Sequence, residues 1–229
     1  MTVCLQGGGE FSPGCRPMDE QLLTHVDGPV VVTALAGAPG REYRTATDNG
    51  VRHFRACGAG EVMGAPDVRE DSDGALRVLR TARLLVLPGG SPARLLTALR
   101  TSPVGQHVLD LVADGGAVMG ASAGAMVLGA WTVLPETRGP DGELGLEEGL
   151  GLVPGVAVVP HWRTGASRLD WLRALAGAPA PLTVLGLPEE SGVLVQGGAQ
   201  AGIAAALGQH ATRVVSEDRD VPVGEELSL

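Results

Sequence analysis

The chain has 229 residues, 44% hydrophobic and 19% charged, with a formal net charge of -9. That composition excludes a disordered chain and suits one substantial α/β domain, residues 1–229, that buries about 70% of its unfolded surface. The acidic balance argues against nucleic acid as a partner, and all 17 basic residues are arginines. Without lysine there is no phosphate-loop lysine, no Schiff base and no Ser-Lys dyad. No apolar run reaches the ~18 residues of a membrane span, so no membrane partner is expected. Three cysteines (Cys4, Cys15, Cys57) without metal spacing fit a reducing compartment and no metal. With no basic segment ahead of an apolar core at the N-terminus, cytoplasm is the expected location.

Met1 to Gln6 reads as a short strand ending in Gly7-Gly8-Gly9-Glu10, a glycine run of the kind that lines the ligand crevice of an open α/β sheet. It is not G-x-G-x-x-G, so a dinucleotide cofactor is not expected, and nothing else in the chain calls for a cofactor. Met18 to Val26 predicts a helix, and Pro29 to Leu35 (PVVVTAL) a strand buried on both faces. A helix follows over Arg41 to Cys57, a short strand over Glu61 to Ala65 and a helix over Asp71 to Thr81. Arg83 to Leu87 is a strong strand that breaks at Pro88-Gly89-Gly90-Ser91, and helices follow over Pro92 to Leu99 and Val104 to Ala113. Strands alternating with helices predict a three-layer sandwich around a mostly parallel central sheet.

Ala117 to Gly129 (AVMGASAGAMVLG) reads as a strand, a sharp turn with Ser122 at its apex and a helix. This is the pattern of a nucleophile elbow. Gly120 and Gly124, two residues either side, suit it because neither carries a Cβ to clash with the adjacent strand or helix. The free N–H groups at the helix start would stabilise a negative oxygen beside Ser122. The rival reading is a small-residue turn that lets a helix pack closely on a sheet.

Beyond the elbow, Trp131 to Leu134 and Leu144 to Glu147 flank a turn at Arg138 to Gly142 and predict a hairpin. Val156 to Pro160 is a strand followed at once by His161, and Ser167 to Ala176 a helix. Leu182 to Leu187 is a strand running into Pro188-Glu189-Glu190. Gly192 to Gln196 and Thr212 to Ser216 are further strands, and the acidic stretch from Glu217 reads as an exposed tail or edge (217–229).

Ser122, His161 and Glu189 each follow an apolar run directly, so all three are expected at one edge of the sheet as nucleophile, base and orienting acid. Glu190 competes with Glu189. The N–H of Ala123 and that of Gly90 are the expected oxyanion donors, each worth roughly 3 kcal/mol of barrier. His210, in a loop, is the rival base; it would suit an α/β-hydrolase-type esterase with its histidine near the C-terminus. His25, His53 and His107 fall in predicted helices and read as surface or packing residues, and Cys57 as a buried structural thiol.

The motifs together carry a resemblance: GGGE at Gly7 to Glu10, LPGGS at Leu87 to Ser91, GASAGA at Gly120 to Ala125, LGLVPG at Leu150 to Gly155, PHW at Pro160 to Trp162 and GLPEES at Gly186 to Ser191. The chain resembles the peptidase E and cyanophycinase family of serine peptidases. That resemblance implies a class I glutamine amidotransferase-like (flavodoxin-like) fold, Ser122 as nucleophile, His161 as base and Glu189 as acid. Glu136 is the alternative acid, because relatives have been given one between serine and histidine. It also implies a small peptide or related amide as substrate, cleaved next to an aspartyl residue, and a homodimer. Arg163 or Arg168 would pair the aspartyl carboxylate through a bidentate contact. Gly8, Gly9 and Ser91 would line the substrate. Ser91-Pro92 stand where cyanophycinase-like proteins carry Asp-Gln, and Arg163 and Arg168 do not follow their arginine spacing, so cyanophycin is not the implied substrate. A non-catalytic amidotransferase-like binding protein is the remaining alternative.

Overall fold

The computed structural model describes residues 1–163, 168–198 and 201–229. In chain order the strands are β1 (Thr2–Gln6), β2 (Val30–Val32), β3 (Val62–Gly64), β4 (Leu84–Leu87), β5 (Ala117–Ala121), β6 (Gly129–Arg138), β7 (Leu144–Glu148), β8 (Val153–Pro160), β9 (Thr183–Leu187), β10 (Ser191–Gly198), β11 (Ala201–Gly208), β12 (Thr212–Val214), β13 (Arg219–Val221) and β14 (Glu226–Leu227). The helices are α1 (Arg16–Leu23), α2 (Arg41–Ala56), α3 (Ser72–Leu79), α4 (Pro92–Thr101), α5 (Val104–Ala113), α6 (Ala123–Leu128) and α7 (Leu169–Ala176).

One sheet runs β14-β11-β10-β1-β5-β4-β2-β3, with β1, β5, β4, β2 and β3 parallel and β10, β11 and β14 added antiparallel beside β1. The parallel strands read as unbroken apolar runs because both faces are covered. Alternate residues feed two cores. Val3, Leu5, Val31, Leu85, Leu87 and Val118 pack with residues of α3, α4, α5 and α6. Cys4, Val30, Val32, Leu84, Val86 and Met119 pack with Met18 and Leu22 of α1 and Phe54 of α2. This is the expected α/β layering around a parallel core.

A second, six-stranded sheet, β13-β12-β9-β8-β6-β7, lies outside that pattern. It contains the predicted hairpin as the antiparallel pair β6–β7, and β8 is parallel to both β6 and β9. Its inner residues, including Val133, Val156, Val158 and Leu185, join the core on the side of α6.

Several boundaries depart from the sequence expectation. The PVVVTAL run keeps only Val30–Val32 as strand. The alanine- and glycine-rich β11 was not expected as a strand; pairing with β10 along its full length overrides weak propensity. The acidic segment after Glu217 supplies edge strands to both sheets, with Val221 and Leu227 buried, so it is an edge and not a free tail. Of the predicted helix over 167–176, Ser167 lies outside the described residues, and α7 begins at Leu169. No helix among the described residues is long and apolar enough to cross a membrane.

Candidate active site

Ser122 stands between β5 and α6 with φ 48° and ψ -109°. Two glycines permit this turn. A Cβ on Gly120 would lie 2.7 Å from the nitrogen of Ala125, and one on Gly124 would collide with the carbonyl oxygen of Leu87. The serine N–H donates to the Gln6 carbonyl at 2.9 Å, tying the turn to β1. Ala123 opens α6, so its N–H has no partner within the helix. Gly90, just past β4 on the neighbouring strand, has φ 140°, and its N–H has no acceptor among the described residues.

Ser122, His161 and Glu189 do come together, but not from one sheet edge. Ser122 belongs to the first sheet, whereas His161 and Glu189 follow the adjacent parallel strands β8 and β9 of the second. The glycine run after β1 joins the two. His161 N–H donates to the Gly7 carbonyl at 2.8 Å, and Glu190 N–H to the Gly8 carbonyl at 2.9 Å. The Ser122 hydroxyl then meets Nε2 of His161 at 2.9 Å, and Nδ1 of His161 meets Oε1 of Glu189 at 3.0 Å. Distances of this size let the imidazole take the hydroxyl proton while the carboxylate fixes its tautomer. Ser122, His161 and Glu190 are three of the five non-glycine residues with positive φ among the described residues, so backbone strain concentrates here.

The remaining candidates divide clearly. Glu190 turns away from His161 and accepts from the Ser12 hydroxyl at 2.7 Å. Glu136 bonds to the hydroxyl of Ser91, which also caps α4, and makes no hydrogen bond to His161. Arg163 is largely exposed with Nη2 3.9 Å from Oε1 of Glu189. Arg168 donates to the His161 carbonyl at 2.8 Å and lies over the Trp171 ring, so its guanidinium props the loop that carries the imidazole. His210 N–H donates to the Ser191 hydroxyl at 2.7 Å; the imidazole on Ser122 is that of His161. Gly8 lies against the ring, since a Cβ there would fall 2.7 Å from Nδ1 and 3.2 Å from Nε2 of His161. Gly9 lies against Glu189 and Glu190, where a Cβ would meet Cβ of Glu189 at 3.4 Å and Cγ of Glu190 at 3.3 Å. Beside Glu189 opens a cleft of about 600 Å³ lined by Trp162, Arg163, Glu190, His210 and Asp220 among others. No group of residues suited to hold a metal ion occurs among the described residues.

The model of peptidase family S51 matches residues 39–202, more than two thirds of the chain. The chain belongs to peptidase family S51. It is therefore a serine peptidase, and the family match spans the elbow, the histidine and the glutamate while leaving out the Gly7–Glu10 run. Among solved structures, a peptidase from an acI-B1 Actinobacterium shares its fold with a TM-score of 0.81 at 21% identity, covering 100% of this chain and 96% of that one. A candidate peptidase E protein from Listeria monocytogenes EGD-e aligns with a TM-score of 0.65 at 16% identity, covering 90% of this chain and 98% of that one. A search of curated proteins finds no match.

Two features of this S51 peptidase escaped the sequence reading. Behind the elbow, the buried Asp19 accepts from Gln6 Nε2 at 2.5 Å and meets His53 Nε2 at 2.7 Å. Desolvation raises the Asp19 pKa, and the His53 contact opposes that shift. His53 is thus a part-buried partner of Asp19, and Cys57 Sγ lies 3.4 Å from its Nε2. The second is Glu10, whose Oε1 accepts from the Gly89 N–H at 2.8 Å beside the serine. The GGGE motif was visible, but nothing local distinguishes its glutamate from a solvated loop residue.

Proposed function

We propose that this S51 peptidase cleaves a short aspartyl-containing peptide, or a related amide, through an acyl-enzyme on Ser122. His161 takes the hydroxyl proton as Oγ bonds to the scissile carbonyl carbon, and then passes it to the leaving amine as the C–N bond breaks. Water, deprotonated by the same imidazole, attacks the ester and releases the acid while the serine recovers its proton. Glu189 holds the imidazole and balances its charge. The N–H groups of Gly90 and Ala123 receive the carbonyl oxygen as it becomes negative. Arg163, exposed beside Glu189, is the cation available for the aspartyl carboxylate.

The observation that carries this reading is the serine–imidazole–carboxylate relay at 2.9 and 3.0 Å. The test is labelling by a fluorophosphonate probe, with intact mass read before and after, together with hydrolysis of aspartyl dipeptides. Labelling that occurs in the native protein and vanishes in Ser122→Ala and His161→Ala supports the mechanism. Unchanged labelling or hydrolysis in Ser122→Ala refutes it. Arg163→Ala with an unaltered KM for the aspartyl peptide removes that residue from substrate binding.

A further inference from the structure

Among the described residues, Glu10 is the one carboxylate held against the turn that carries Ser122 yet given no part in the relay. It follows β1, whose last residue Gln6 pairs with Ala121, the residue before Ser122. Its Oε1 is fixed by the Gly89 N–H at 2.8 Å. A Cβ added to Gly89 would sit 2.8 Å from that oxygen and 3.2 Å from Cβ of Ser122, so carboxylate and nucleophile crowd the same side of Gly89. Among the described residues no arginine or histidine pairs with Glu10, and Oε2 has no hydrogen-bond partner. The side chain is half-buried.

Such a placement sets a physical problem. In the proposed mechanism Gly90 N–H, next in the chain, receives the oxygen that gains negative charge during acylation. A bare carboxylate one residue away opposes that charge. When substrate covers the site, the same carboxylate loses water and has no partner to replace it. A cation delivered by the substrate resolves both at once.

Taking Ser122 as the nucleophile, we propose that Glu10 is the subsite for an ammonium group on the substrate, the free amine of a short peptide. A peptide carrying that amine neutralises Glu10 as it binds; a blocked peptide buries an unpaired charge. The rival role, a prop for the Gly89 peptide bond, needs only an oxygen acceptor and no charge.

Calorimetry separates these. Binding of an aspartyl dipeptide and of its N-acetyl counterpart is measured at neutral pH to Ser122→Ala protein, with and without Glu10→Gln, which keeps an oxygen for the Gly89 N–H. The Ser122→Ala protein is expected to favour the free amine by roughly 10- to 100-fold, as suits a hydrogen bond between charged groups. Glu10→Gln is expected to bring that ratio close to one. Equal affinity for the two peptides before the second substitution, or a ratio that survives it, overturns the proposal. Because binding is read without turnover, the outcome stands apart from the fluorophosphonate result, whose failure would strike the nucleophile assignment instead.

Discussion

Replacing Gly8 by alanine tests whether the glycine run sets the imidazole in place. Gly8 has φ 128°, a conformation that side-chain-bearing residues rarely adopt, and holding alanine there costs about 1–3 kcal/mol of stability. The larger effect falls on catalysis. The new Cβ would clash with Cε1 of His161 and lie 2.7 Å from Nδ1, against 3.4 Å for ordinary contact. The ring is a side chain that can rotate, so it yields before the backbone of β1 does. Restoring contact distance moves it by a good part of an ångström, out of line with both Ser122 and Glu189. A misplacement of about 1 Å can cost on the order of 100-fold in rate, or about 2.7 kcal/mol of barrier. Gly8→Ala should therefore lower kcat for an aspartyl dipeptide about 100-fold and slow fluorophosphonate labelling in parallel, while far-ultraviolet circular dichroism stays native. A Gly8→Ala protein that keeps wild-type kcat would refute the idea that this glycine makes room for the imidazole.

Other outcomes follow from the same geometry. Glu189→Gln should reduce kcat by about 100-fold or more, the scale of a positioned acid–base group, whereas Glu136→Gln, which touches Ser91 and not His161, should stay within a few-fold of wild type; steady-state kinetics reversing that order would move the triad acid to Glu136. His53→Ala leaves the buried Asp19 without its histidine hydrogen-bond partner and should destabilise the fold by about 1–3 kcal/mol, lowering the melting temperature by roughly 5 °C; a calorimetric scan that matches wild type would show the pair to be dispensable. Burial pushes the Cys57 thiol up to about 11. The native protein should therefore alkylate slowly with iodoacetamide near pH 8 and speed up as pH rises toward 11. The stability linked to that thiol is present below its ordinary value of 9.0 and lost as pH climbs through the raised value. Alkylation of native protein at pH 8 as fast as that of unfolded protein would overturn this.

The parts legible in the chain alone are those where the local pattern and the final environment agree. Buried parallel strands such as Leu84–Leu87 are unbroken apolar runs because both their faces are covered. The elbow is readable because only glycine fits at 120 and 124, where strand, turn and helix backbones nearly touch. His161 and Glu189 stand out because one directly follows an apolar strand and the other stands two residues past the next.

What the tertiary structure alone decided depends on partners distant in sequence. β11 is a strand because β10 pairs with it, not because alanine and glycine favour one. Period and propensity say nothing of which sheet a strand joins, so the meeting of Ser122 with His161 across two sheets, through the carbonyls of Gly7 and Gly8, had no local signature. The choice between neighbouring glutamates was likewise made in three dimensions: Glu189 meets the imidazole while Glu190, with φ 56°, turns to Ser12. Asp19 with Gln6 and His53, and Glu10 with Gly89, are polar residues on ordinary helices and loops until folding brings these partners to them. A polar side chain acquires its role from the groups that replace its hydration, and those are assembled only when the chain closes on itself.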